Sequence, residues 1–132
     1  MNHAEEGEQI ALMSWCKLIK LPIGLTVFDL MTHIKNESFE KGTKIQIANR
    51  IARQKKAGFK SGTPDLFFSY PCHGKPGLFI EMKRKEKSKA TVSANQKKRI
   101  KVLKQAGYVV VVAYGFEDAQ RYINAYLNGE LE

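Results

Sequence analysis

Apolar residues along the chain switch between a helical repeat and short continuous runs, and those switches set out the elements. Over residues 5–20, Ala11, Leu12, Trp15, Leu18 and Ile19 recur at helical spacing and form one stripe. This predicts an amphipathic helix that ends at Leu21-Pro22, because proline disfavours helical dihedrals in the residue before it. One turn back, the stripe lands on Glu8, a carboxylate on the line of the buried face. Residues 25–34 are rich in β-branched and aromatic side chains (Thr26, Val27, Phe28, Thr32, Ile34) and predict a strand. Residues 36–42 are a polar loop. Thr43 can cap a second helix to about Ala57, with Gly58 as its stop. The outer face of that helix offers Arg50, Arg53 and Lys56.

The second half of the chain is more sharply punctuated. Leu66-Phe67-Phe68 and Leu78-Phe79-Ile80 are short apolar strands separated by YPCHGKPG, whose proline and glycine residues are turn chemistry, so the pair predicts a hairpin. Ser93 can cap a third helix through Ala106, stopped by Gly107. Residues 108–114 (YVVVVAY) are a nearly continuous apolar run, the pattern of a strand buried on both faces. Residues 116–127 predict a closing helix with Tyr122, Ile123, Tyr126 and Leu127 available for packing. The order helix, strand, helix, hairpin, helix, strand, helix predicts an α/β domain: a small mixed β-sheet flanked by α-helices. At 132 residues and 43% hydrophobic, the chain fits one domain over 1–132 with a real core.

Charge and cysteine content narrow the class. Lys and Arg number 22 against 13 Asp and Glu, a formal net charge of +9. Such an excess suits a polyanionic partner, most simply nucleic acid, although a solvated basic surface would give the same total. The two cysteines, Cys16 and Cys72, form no disulfide framework and suit a reducing, cytoplasmic setting. Cys72-His73 lacks further ligands at metal-binding spacing and belongs to the turn. No segment approaches the ~18 apolar residues of a membrane span. The acidic start, Ala4-Glu5-Glu6, is unlike a signal peptide.

The hairpin then gathers charge at one point. Residues equidistant from its turn lie opposite each other, and the midpoint of Asp65 and Glu81 is residue 73, inside the turn. Asp65 and Glu81 therefore meet at the open end. Glu81 and Lys83 project to one face, while Met82 points away. Two close carboxylates raise each other's pKa unless a cation neutralises them, and carboxylate oxygens are what Mg²⁺ or Mn²⁺ takes. A lysine alongside can hold a phosphate oxygen or manage an attacking water. A salt-bridged strand end would use the same residues. Three features favour the metal reading: Glu8 as a third carboxylate, Gln96 as an amide on the inward face of the third helix with Ile100 and Leu103, and the basic row Lys97, Lys101 and Lys104 outside it.

These residues resemble a known family. Pro64-Asp65, then Glu81-Met82-Lys83, is similar to the PD-(D/E)xK signature. GTPDLFF, GLFIEMKR and VSANQKKRIKVLKQAGYVVVVAYG together resemble the VRR-NUC (virus-type replication-repair nuclease) domain over roughly residues 5–127, in its stand-alone phage and bacterial form. The resemblance implies a restriction-endonuclease-like core and a Mg²⁺- or Mn²⁺-dependent DNA endonuclease without an organic cofactor or membrane partner. Asp65, Glu81 and the Met82 carbonyl would hold metal. Glu8 would be the first-helix glutamate, with Glu5 and Glu6 competing for that role. Lys83 would be the catalytic lysine and Gln96 its support. His33 and Asn36 would approach DNA, along with Arg50, Arg53 and the third-helix lysines. It further implies a homodimer acting on branched DNA such as Holliday junctions. A flap or single-strand nuclease and a non-catalytic nucleic-acid-binding module are the alternatives.

Overall fold

The computed structural model of the chain describes residues 3–34, 41–86 and 91–131. Four helices, α1 (His3–Cys16), α2 (Lys44–Lys56), α3 (Ala94–Gln105) and α4 (Phe116–Leu127), surround strands β1 (Met31–His33), β2 (Leu66–Phe68), β3 (Leu78–Lys83) and β4 (Val109–Tyr114). The strands form one sheet in the order β1-β2-β3-β4, antiparallel except for the parallel β3–β4 pair. This is the α/β fold with a small mixed sheet that the element order predicts.

Strand alternation divides the sheet into two unlike faces. Leu66, Phe68, Leu78, Ile80, Met82, Val109, Val111 and Ala113 are buried on one face, against Leu12 and Cys16 of α1 and Ala119, Ile123 and Tyr126 of α4. Each large side chain fully buried there contributes roughly 1.5–3 kcal/mol. The opposite face carries a smaller aromatic cluster: Phe67 and Phe79 stack at 4.4 Å, and Tyr108 meets both edge-on. Beyond that cluster Glu81 and Lys83 continue the same face, and α3 lies over them. The parallel β3–β4 pair needs a crossover, and α3 provides it.

Two predicted elements come out shorter. The first helix ends at Cys16, not at residue 20, and Leu18 is 78% exposed. Its end tightens through Leu18 N–H on the Trp15 carbonyl (2.9 Å), and Ile19 turns away to accept the Val27 N–H. The core places on that side go to Leu21 and Val27 from the following loop. The predicted strand over 25–34 is reduced to Met31–His33, preceded by a 3₁₀ turn at Phe28–Leu30. Asp29 Oδ2 accepts the Thr26 N–H at 2.8 Å while Thr26 Oγ1 accepts the Asp29 N–H at 3.3 Å. Such local side-chain bonds compete with sheet pairing.

Candidate active site

The hairpin turn is built by Cys72 to Lys75, which exchange two backbone hydrogen bonds around His73 and Gly74. Both central residues have positive φ (49° and 76°), as a two-residue turn matching the strand twist requires. Cys72 and His73 hold the end of α4: the Cys72 thiol donates to the Tyr126 carbonyl, and His73 Nε2 lies 2.8 Å from the Leu127 carbonyl. Between this turn and the strands the pairing shifts by one residue, and the strands take the register Leu66↔Ile80. Continuing that register one residue outward puts Asp65 opposite Glu81.

Asp65 is anchored on three sides. Pro64 before it is fully buried. Its carbonyl accepts the Ile34 N–H at 2.7 Å, extending the β1 edge. Its Oδ2 accepts the Met82 N–H at 2.8 Å. Gly62, at φ 78°, lets this segment lie on the start of α3; a Cβ there would come within 2.6 Å of the Asn95 carbonyl.

Glu81 and Lys83 are only 4% and 8% exposed. Burial, followed by the neighbouring Asp65 charge, pushes Glu81 up to about 8, and its carboxyl hydrogen-bonds Asp65. Asp65 is also raised, chiefly by burial, with the charge of Glu5 adding to the effect and the Met82 N–H opposing it. Lys83 Nζ lies 3.5 Å from Glu81 Oε2 and donates to Gln96 Oε1 at 3.1 Å. Gln96 Nε2 in turn donates to Glu81 Oε2 at 3.0 Å. The amide thus bridges acid and amine. It also caps its own helix: Oε1 accepts the Ser93 N–H while Ser93 Oγ accepts the Gln96 N–H, a capping box.

The chemistry of this cluster suits a hard divalent cation. Two desolvated carboxyls that hold a proton at neutral pH would release it to an ion with oxygen affinity. A third oxygen is available. Lys83's carbonyl faces β4, where it accepts the Gly115 N–H. Successive residues of a strand point their polar groups to alternate edges, so Met82's carbonyl faces the Asp65 side with its N–H.

Comparison with known proteins gives the family and the fold. The VRR-NUC domain family matches residues 4–117. A solved structure described as "VRR_NUC domain protein" superposes with a TM-score of 0.78 at 28% identity, over 97% of this chain and 91% of that one. The chain belongs to the VRR-NUC domain family. Among curated proteins no sequence matches. Membership implies a nuclease of PD-(D/E)xK type, with DNA as the implied substrate, and nucleases of that type are in general divalent-metal dependent.

Within this VRR-NUC chain the remaining predicted residues fall in different places. Glu8, expected as a third carboxylate at the metal, accepts the Phe116 N–H at the start of α4 through its Oε2. The N-cap there is Gly115, which has no side chain to do this, so the acceptor comes from α1. Glu5, one turn earlier, is the α1 carboxylate whose charge bears on Asp65. Among the described residues no three His, Cys, Asp or Glu side chains gather around one point. His33 pairs with Leu66 and so takes the opposite sheet face from Glu81 and Lys83. Asn36 lies outside the described residues, as do the rest of 35–40 and residues 87–90.

The basic residues form the surroundings. Lys97, Lys101 and Lys104 are exposed along α3, and Arg50 and Arg53 line a shallow cleft on α2 with Lys41. No helix among the described residues is long and apolar enough to cross a membrane. Sequence reasoning missed the Met82 N–H bond to Asp65 and the dock of Gly62 on α3, since neither uses a recognisable side chain. It also missed the second role of Gln96, although Ser93-x-x-Gln96 is a readable capping box.

Proposed function

We propose that this VRR-NUC domain is a Mg²⁺- or Mn²⁺-dependent DNA endonuclease that hydrolyses phosphodiesters in branched DNA, with four-way (Holliday) junctions the leading substrate. The observation that carries the reading is the buried, proton-sharing Asp65–Glu81 pair with the Lys83 amine held beside it by Gln96. Asp65, Glu81 and the Met82 carbonyl are the residues that would hold the ion, and Glu5, whose charge bears on Asp65, is the α1 candidate to join them. The bound ion would supply positive charge to polarise the phosphoryl group and lower the pKa of a water.

The chain's own groups have separable tasks. The Met82 N–H fixes one Asp65 oxygen, so that carboxylate is oriented before any ligand arrives. Gln96 restrains Lys83 through a single acceptor, which leaves the amine's other hydrogens for a phosphate oxygen or the attacking water. As an ammonium in a water-poor site, Lys83 stabilises the negative charge that builds on the phosphorus-bound oxygens. Lys97, Lys101 and Lys104 on α3 would hold flanking phosphates without reading bases. A two-fold homodimer suits a four-way junction because two symmetric cuts need two symmetric sites.

Labelled junctions, flaps, single strands and duplexes incubated with Mg²⁺, Mn²⁺ or EDTA test this. The expected outcome is metal-dependent cutting with junctions preferred, lost by at least about 10²-fold in Asp65→Asn and Lys83→Ala while binding persists. Preference for flaps would move the substrate assignment within the nuclease class. A folded wild-type protein that binds DNA but never cuts it with either ion would leave only a binding module.

A further inference from the structure

Beside the carboxyl pair, on the α3 side, lies a cleft of about 560 Å³. Its rim carries Lys55 from the end of α2, Lys60 from the loop after it, and Lys98 and Arg99 from α3; its apolar surface comes from Phe59 and Val102. Among the described residues no carboxylate lines it. Neither residues 41–64 nor 87–116, the stretches that supply these side chains, contain an Asp or Glu. The proposed hydrolysis uses none of these six residues.

Three observations give the cleft a ligand. Val102 is 44% exposed, an apolar surface left open between cations. The Nε of Arg99 is covered from solvent and has no hydrogen-bond partner among the described residues, a donor suited to an anionic oxygen. The cleft adjoins the carboxyl pair through α3: Asn95, which lines the cleft with Ser61 and donates to its Oγ at 3.2 Å, precedes Gln96, which holds Lys83 and Glu81. An aromatic ring beside a group of cations is what one unpaired nucleotide takes, base on the ring and phosphates on the charges. The volume lies in the range of about 300–1,000 Å³ typical of small-ligand sites.

We propose that this cleft binds one unpaired nucleotide of the DNA strand being cut, with its base against Phe59 and Val102. Its phosphates meet Lys55, Lys60, Lys98 and Arg99. A duplex cannot use the ring, because its base faces are already stacked on each other. The cleft therefore favours strands that are unpaired, or that open, next to the scissile phosphate. Identifying the ligand as the cut strand rests on the nuclease reading; the binding does not.

The test is titration of the full chain in EDTA with a labelled single-stranded oligonucleotide and with the duplex of the same sequence. Phe59→Ala should weaken single-strand binding about tenfold and duplex binding less than about twofold. Phe59→Trp should keep wild-type affinity and show indole quenching as strand is added. Lys60→Glu with Lys98→Glu should reduce the salt slope of single-strand binding by about 1.4, at about 0.7 per phosphate neutralised. Equal losses on both ligands in Phe59→Ala, or none, overturn the proposal. Should Phe59→Ala fail to fold, an unquenched Phe59→Trp overturns it instead. A protein that binds single strands through Phe59 yet never cuts sinks the nuclease reading alone. One that cuts while Phe59→Ala binds normally sinks this inference alone.

Discussion

Glu81 keeps a proton because burial and the charge of Asp65 both work against its ionised form, and Lys83 only partly offsets them. Its folded pKa of about 8 lies above the ordinary 4.5. Between those values the unfolded chain ionises Glu81 while the folded one does not, so stability falls as pH rises through that window. In EDTA the melting temperature should therefore drop from pH 5 to pH 8, and Glu81→Gln should flatten that slope. At pH 8 the variant should melt higher by about 5 °C, the size of a 1 kcal/mol gain in a domain of this length; an unchanged slope in differential scanning calorimetry would remove this account. Gln96→Leu removes the bridge between acid and amine. Cleavage should fall about 10- to 100-fold, as when a supporting partner of a metal site is lost, with junction affinity in EDTA little changed. The meeting of Asp65 and Glu81 was legible in the sequence because a hairpin's midpoint sets who faces whom. The proton they share was not legible, since it depends on burial that only the assembled sheet provides.

At the scale of elements, positions with a local signature could be read in advance. Thr43, Ser93, Gly58 and Gly107 mark helix ends by their own chemistry, and α2, α3 and α4 fall within a residue or so of where they were expected. The misses came where a distant partner decides. Leu18 continues the stripe of α1 but the core had already been filled by Leu21 and Val27, and the carboxylate on that stripe serves the start of another helix. Glu8→Gln should consequently lower stability by about 0.5–2 kcal/mol, the usual worth of a cap, without changing Mg²⁺ affinity. Glu5→Gln should do the reverse; isothermal titration and thermal melts on both variants would show which glutamate belongs to the metal. Gly62→Ala should cost more than about 1 kcal/mol, since it meets both a left-handed φ and the Asn95 backbone at 2.6 Å. It should also slow cleavage, because the displaced segment carries Asp65.

Across the whole molecule, charge is sorted rather than scattered. Glu5, Glu6, Glu8, Glu117 and Asp118 lie on the α1 and α4 side, whereas α2, α3 and the loop after α2 carry cations alone. Binding to duplex DNA should therefore weaken steeply with added salt, and reversing Lys97, Lys101 and Lys104 to Glu should reduce the slope of log affinity against log salt by about 2.7, at about 0.9 for each phosphate no longer neutralised. A slope unchanged by that triple reversal, measured by fluorescence anisotropy, would remove α3 from the interface. The net charge alone could not reveal this sorting, since two stretches far apart in sequence meet only once the crossover brings α3 over the sheet. The helix that presents this basic ridge also tethers the buried amine, because one oxygen of Gln96 serves both the Ser93 N–H and Lys83. Fraying of that first turn would let the amine drift away from Glu81, so a slip in secondary structure would surface as slow turnover while the sheet beneath stayed intact.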